Sequence, residues 1–308
     1  MTTPRAARVA ERIGRALVPG LPFLWLVLFF LVPFLIVLKI SLSDPAIAQP
    51  PYRPALAVSA GLEGLRAFLA GLDLETFRML LADDLYLGAA LSSLRIALVS
   101  TAILLLVGYP IAYAMASAPA RWRLLLVAFV ILPFWTSFLI RVYAWIGILR
   151  SEGLLNQALL ALGAIAEPLT LLNTDTAVYI GMVYAYLPFM VLPLYATLER
   201  FDGTLIEAAE DLGSPPWKAF WTITLPLSWP GIAAGSLLCF IPIVGEFVVP
   251  DLLGGSETLM IGRTLWSEFF SNRDWPLASA VAVVLLVILV IPIVIYRDVE
   301  ARRIEARR

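Results

Sequence analysis

Six apolar segments, each about as long as a helix needs to cross a bilayer, decide what this chain can become. They cover roughly 21–41, 90–114, 124–149, 177–198, 229–249 and 277–296. A helix rises about 1.5 Å per residue, so roughly 20 apolar residues span ~30 Å of hydrocarbon with every backbone polar group bonded inside the segment. The pattern predicts an all-α integral membrane protein with six transmembrane helices. Composition agrees: 61% of the 308 residues are hydrophobic and 15% charged, against about half and a quarter in soluble domains. With no histidine and one cysteine, Cys239, the chain builds no disulfide and no His/Cys metal site of its own. Arginines before the first segment and Ala46-Ile47-Ala48 after it imitate a secretory signal. That segment is longer than the roughly 7–15 residues of a signal core, so it reads as an uncleaved anchor.

Orientation is set by the excess of Arg and Lys on cytoplasmic flanks. Arg5, Arg8, Arg12 and Arg15 precede the first segment, Arg121 and Arg123 come after the second, and Arg297, Arg302, Arg303, Arg307 and Arg308 come after the last. Both termini are therefore expected in the cytoplasm. The loops at 42–89, 150–176 and 250–276 then lie outside, where 13 acidic residues against six arginines give a net charge of −7. Within 42–89, Leu62, Leu65, Phe68, Leu69, Leu72, Phe77, Leu80 and Leu81 fall at roughly helical spacing, which predicts amphipathic helices along the membrane surface.

The connection at 199–228 is cytoplasmic by parity, yet it carries five acids against Arg200 and Lys218. That exception to the charge rule points to a specific partner. Its grammar is helix, turn, helix. Thr204 with Glu207 reads as a capping box, Gly213 as a left-handed terminator, and Ser214 as the cap of a second helix with Pro215 in its first position. Trp217, Phe220 and Trp221 supply apolar surface to this stiff elbow.

Glu207-Ala208-Ala209, then Gly213, Ile223 and Leu225-Pro226, resemble the signature of type I permeases of ATP-binding-cassette (ABC) importers. The resemblance implies that an elbow at 200–226 docks on a cytoplasmic ATPase. Glu207, Ala208, Ala209, Asp211, Gly213, Pro215, Trp217, Phe220, Ile223 and Pro226 would then be its coupling residues. Residues 132–145 with Gly153-Leu-Leu-Asn156, and Gly245-Glu-Phe-Val-Val-Pro-Asp251 running on to 276, are similar to the spermidine/putrescine permeases of that class. The likeness implies a bacterial inner-membrane subunit, working with two copies of an ABC ATPase, a second similar permease, a periplasmic solute-binding protein and a polyamine substrate. The expected organisation is a cytoplasmic tail 1–20, a first helix 21–41, a periplasmic segment 42–89, a transport domain 90–297 and a tail 298–308. The chain carries no G-x-x-x-x-G-K-[ST] phosphate loop. It is therefore read as a non-enzyme with no cofactor or metal of its own, ATP and Mg being bound by the partner ATPase. Nucleic acid is not suggested.

Polyamines are flexible multiple cations that call for carboxylates and aromatic faces. Glu246 lies about 17 residues beyond the inner end of the fifth segment, with Asp251 just above it, and an acid at such depth is by default functional. Trp135, Tyr143, Trp145, Tyr184 and Tyr186 offer aromatic surface, although interfacial belts enrich Trp and Tyr in any membrane protein. Glu246 admits two readings: a contact in the substrate pathway, or an ion pair with Arg141. Pro110, Pro133, Pro188, Pro193 and Pro242 interrupt apolar segments, either as hinges beside a cavity or as packing kinks. An importer of thiamine or ferric iron is the alternative within the class. An ion-coupled secondary carrier and a non-transporting scaffold are the alternatives outside it.

Overall fold

The computed structural model describes residues 18–54 and 61–306. The arginines before residue 18 that support the orientation lie outside those residues. Two compact units divide the chain, Met1–Asp83 with Ser267–Val284, and Asp84–Trp266 with Leu285–Arg308.

In the first unit, α1 (Val18–Ser41) is a single apolar helix with a π-helical turn at Val27–Leu31. A two-residue antiparallel ladder comes next, β1 (Asp44–Pro45) with β2 (Tyr52–Arg53), in the register Asp44↔Arg53. The expected surface helices are present as α2 (Gly61–Ala70) and α3 (Glu75–Ala82). Leu80 is buried and Phe68 is neither wholly exposed nor buried, whereas Leu69 and Leu81 are exposed. The side chains of Leu62 and Leu65 lie outside the described residues. Lys39 Nζ stands 3.9 Å over the Tyr52 ring, a cation–π contact that keeps the charge off open hydrocarbon.

The second unit begins with α4 (Asp84–Ser117), 34 residues long. It continues through α5 (Ala120–Ile131), α6 (Phe138–Leu149), α7 (Leu154–Ala161) and α8 (Asp175–Leu198). The elbow helices are α9 (Thr204–Asp211) and α10 (Pro216–Leu227). They lead into α11 (Trp229–Val244), then the short α12 (Val248–Leu253) and α13 (Ile261–Trp266). The final helix, α14 (Trp275–Ala306), contributes residues to both units. Among the described residues four helices are long and apolar enough to cross a membrane, and two bent pairs bring the number to six if each pair is one span.

The bends correct two expectations. The third apolar segment is not one helix: a 3₁₀ turn at Leu132–Trp135, with Pro133 in it, precedes an 88° corner before Phe138. The fifth segment ends at Val244 rather than 249, and 248–253 starts again as α12. The remaining singled-out prolines, Pro110, Pro188, Pro193 and Pro242, do sit inside helices. So does Pro292, near the middle of α14.

The core of this unit is the three-helix contact of α4, α8 and α11, filled by Ile96, Leu104, Met190, Val191, Leu194 and Ile243, all at zero exposure. Small residues set the spacing between α8 and α11. A Cβ on Gly231 would stand 2.6 Å from Thr197 Oγ1, and one on Gly235 would stand 2.9 Å from Met190 Sδ. Two glycines four residues apart lie on one helix face, so the backbones approach as they do in membrane helix pairs built on small residues.

Candidate functional site: an elbow between helices and a folded-back segment

The elbow forms as expected in outline and differs at its caps. α9 starts at Thr204, but Gly203 is its N-cap and no side chain caps it there, so the Thr204/Glu207 capping box does not form. The Asp202 carboxylate accepts from the Thr204 N–H at 3.1 Å instead; an aspartate bonding two residues on is a turn-former that outcompetes the threonine. Gly213 terminates the helix with φ +82°. Its N–H donates to Glu210 O and that of Ser214 to Ala209 O, which satisfies carbonyls the helix leaves open. The second helix begins one residue later than expected, with Pro215 as N-cap and Pro216 at the first position, and Ser214 does not cap it.

α10 contains a π-helical turn, Phe220–Thr224, and meets α11 at a 62° bend. Ile223 lies within that turn, and Pro226 in the last helical stretch of α10 before the bend. Along the elbow, Trp217 and Trp221 are exposed, as are Glu207, Ala208 and Asp211, while Ala209 is half-buried. Phe220 turns inward against the core. Glu207, Ala208 and Asp211 fall one turn apart on α9 and leave an open acidic face there, and the two tryptophans are open to solvent on α10.

At the other end of α11 the chain turns at Gly245 and folds back through α12 and α13. Glu246 sits in that turn. Its Oε1 accepts from the N–H groups of Phe247 (3.1 Å) and Val248 (3.0 Å), and its Oε2 accepts from the Tyr186 phenol at 2.5 Å. No cationic side chain among the described residues pairs with it. Of the two readings of Glu246, the ion pair with Arg141 does not form. The Arg141 guanidinium lies 5.3 Å and 5.8 Å from the Phe134 and Phe138 ring centroids. Its Nε and Nη1 are buried without a hydrogen-bond acceptor. Phe138 lies one helical turn before Arg141 on α6, and Phe134 comes from the 3₁₀ turn on the other side of the 88° corner, so the guanidinium is enclosed by aromatics of its own bend. Asp251 is tied to Arg263 at 3.1 Å, so its charge is already balanced.

The aromatics divide. Trp145 packs edge-on against Tyr184 at 5.4 Å, and Tyr186 lies 6.0 Å from Phe189. Trp135 and Tyr143 are exposed and join neither pair.

Three further groups hold this end of the unit together, none of them among the expected coupling or pathway residues. Asp175 accepts from Arg95 at 2.7 Å and from Thr258 at 2.7 Å. Fully buried Asn156 donates to Arg150 O and Leu169 O and accepts from Leu169 N–H, stapling 150–169. Gly262 lies so close to the turn that a Cβ there would overlap Gly245 O. The Asn156 role had a signal, an amide pair with Gln157 within an otherwise apolar helix, whereas the other contacts join residues more than 15 positions apart in sequence.

Comparison with known proteins gives the same architecture. Residues 105–305 match the family described as binding-protein-dependent transport system inner membrane component. The spermidine/putrescine transport system permease protein PotB of Haemophilus influenzae is 39% identical over 274 residues, covering 89% of this chain and 90% of that protein. PotB of Escherichia coli is 43% identical over 216 residues, covering 70% of this chain and 78% of that protein. A crystal structure of a bacterial ABC transporter involved in import of the acidic polysaccharide alginate has a chain with TM-score 0.63 at 17% identity, covering 94% of this chain and 99% of that one. At that identity the likeness concerns the fold. With a family match across most of the second unit and relatives this similar along most of its length, the chain belongs to the binding-protein-dependent transport system inner membrane components, multi-pass transport proteins of the inner membrane and not enzymes.

Proposed function

We propose that this chain is the permease subunit of an ATP-driven importer that moves a polyamine, putrescine or spermidine, into the cytoplasm by alternating access. The observation that carries the substrate class is Glu246. A carboxylate at the outer end of α11, held by three neutral donors and no cation, is oriented while no opposite charge balances it. Such a group offers an ammonium what a pre-formed ion pair would not. Trp145 and Tyr184, paired on a different face of α8 from Tyr186, supply further aromatic surface for a methylene-ammonium chain along the pathway. The relatives named as spermidine/putrescine permeases support the same choice.

Both termini and the elbow lie in the cytoplasm in this reading. Glu207, Ala208, Ala209, Asp211, Gly213, Pro215, Trp217, Phe220, Ile223 and Pro226 then form the region that meets the ATPase. Two ATPase copies hold ATP and Mg, a second similar permease completes the pathway, and a solute-binding protein docks outside on the acidic loops. The assembled complex in proteoliposomes tests this with labelled putrescine, spermidine, thiamine and ferric iron. ATP-dependent uptake of a polyamine alone is expected. Uptake of thiamine or iron instead would overturn the substrate class, and uptake without ATP would overturn the importer.

A further inference from the structure

α4 is tied at both ends to segments that the proposed function requires to move. Near its inner end, Phe220 of the elbow meets Tyr109 and Tyr113 edge-on, with ring centroids 5.7 and 6.0 Å apart and planes at 89° and 88°. Ser228, at the bend between α10 and α11, is fully buried and donates to Leu225 O at 2.9 Å. The hydroxyl has one proton, so the 2.9 Å bond between Tyr109 and Ser228 is donated by the phenol. Near the outer end, buried Ser93 accepts the Ile261 N–H at 2.8 Å. Arg95 pairs with Asp175, which in turn accepts from Thr258. Ser93 and Tyr109 are sixteen residues apart, about 24 Å along a helix.

We propose that α4 is the rod that carries movement of the elbow to the outer segment 245–266, with Tyr109 as the positioning residue that takes up the push; this rests on the proposed function. The covalent route is poorer, because α10 and α11 meet at 62° and an axial push on α10 is partly spent in rotation there. The rod also has a defined point of entry. Pro110 lies inside α4 and removes a backbone bond, so the helix yields there. Tyr109 lies in the loosened turn, 106–110, on the Ser93 side of the proline, where its bond to buried Ser228 loads the length leading to Ser93. Tyr113 lies beyond it and steadies Phe220 without driving the rod.

The test uses the whole complex in proteoliposomes, with Cys239→Ala as the parent and a single reporter, Ser256→Cys, on the exposed outer loop. Maleimide labelling is compared with and without Mg-ATP and vanadate. In the parent, trapping should change the labelling rate at least about fivefold, the lower range of coupling between distant sites. Phe220→Leu and Tyr109→Leu should reduce that change to less than about twofold, with ATPase co-purification normal in Tyr109→Leu, and Tyr113→Leu should leave it intact. A parent without the change, or either of the first two variants retaining it in full, would overturn the proposal. If Phe220→Leu fails to assemble, Tyr109→Phe and Ser228→Ala decide, since each removes only the hydrogen bond. Equal partial losses that do not add in the double variant are expected, and additive losses or no loss would refute it. Labelling needs no solute, so this proposal and the polyamine reading can fail separately.

Discussion

The Tyr186 phenol on α8 donates to Glu246 at 2.5 Å, across 60 residues of sequence, and holds the carboxylate in the turn that ends α11. A phenol-to-carboxylate bond is charge-assisted and directional, so it fixes the acid without cancelling its charge.

Tyr186→Phe keeps the ring and leaves one carboxylate oxygen without its donor, a loss of about 1–3 kcal/mol of orientation. Polyamine uptake should fall roughly tenfold or more, with normal amounts of protein in the membrane. Wild-type uptake would show that the bond plays no part in transport.

Glu246→Gln keeps the shape and removes the charge. A hydrogen bond to a charged group is worth about 1.5–3 kcal/mol, so uptake should drop at least about tenfold. Glu246→Asp should retain more activity than Glu246→Gln. Equal activity in the two variants would show that the charge is irrelevant.

Gly213 holds φ +82° with nothing within 4 Å of the place a Cβ would occupy, so only backbone strain opposes a side chain there. Gly213→Ala should destabilise the elbow turn by about 1–2 kcal/mol, and Gly213→Asn by less. Co-purification of the ATPase at limiting concentration should weaken most for the alanine variant and less for the asparagine variant. Identical retention by all three proteins would remove the turn from coupling.

Gly262→Ala would press a Cβ into Gly245 O and to 2.8 Å from Glu246 O. Both are backbone atoms, so the outer turn must shift, at a cost of about 1–3 kcal/mol. Faster proteolysis of the outer loop and lower uptake are expected, with Ser256→Ala as a neutral exposed control. Unchanged proteolysis would mean that the close approach is not needed.

Much of this architecture was legible because spans and elbows obey local rules. Apolar length gave α1, α4, α8 and α14, and the position of Gly213 after a short amphipathic run gave the turn. The caps slipped by one residue where two rules competed: Asp202 could cap ahead of Thr204, and Pro215-Pro216 offers two prolines of which either suits a first helical position. Arg141 was misplaced for a different reason. Equal depth on two straight helices implied a meeting with Glu246, but an 88° corner at 136–137 lies between. Pro133 signals that a break exists, while its angle depends on packing that no local pattern encodes. Contacts such as Asp175 with Thr258 join distant loops, and their residue types are those of any polar surface.

The pair Gly231 and Gly235 bears on what the ATPase can do. These glycines clamp α11 against α8 at Met190, Pro193 and Thr197, and α8 and α11 are the two helices from which the elbow springs. An arch whose feet are bolted together cannot spread when its crown is pressed. In the proposed importer, force applied at Glu207 or Trp217 is not spent in spreading α8 from α11 and is left to pass into α4, and a bulkier residue at Gly235 would blunt the machine by loosening its footing rather than by touching solute or motor.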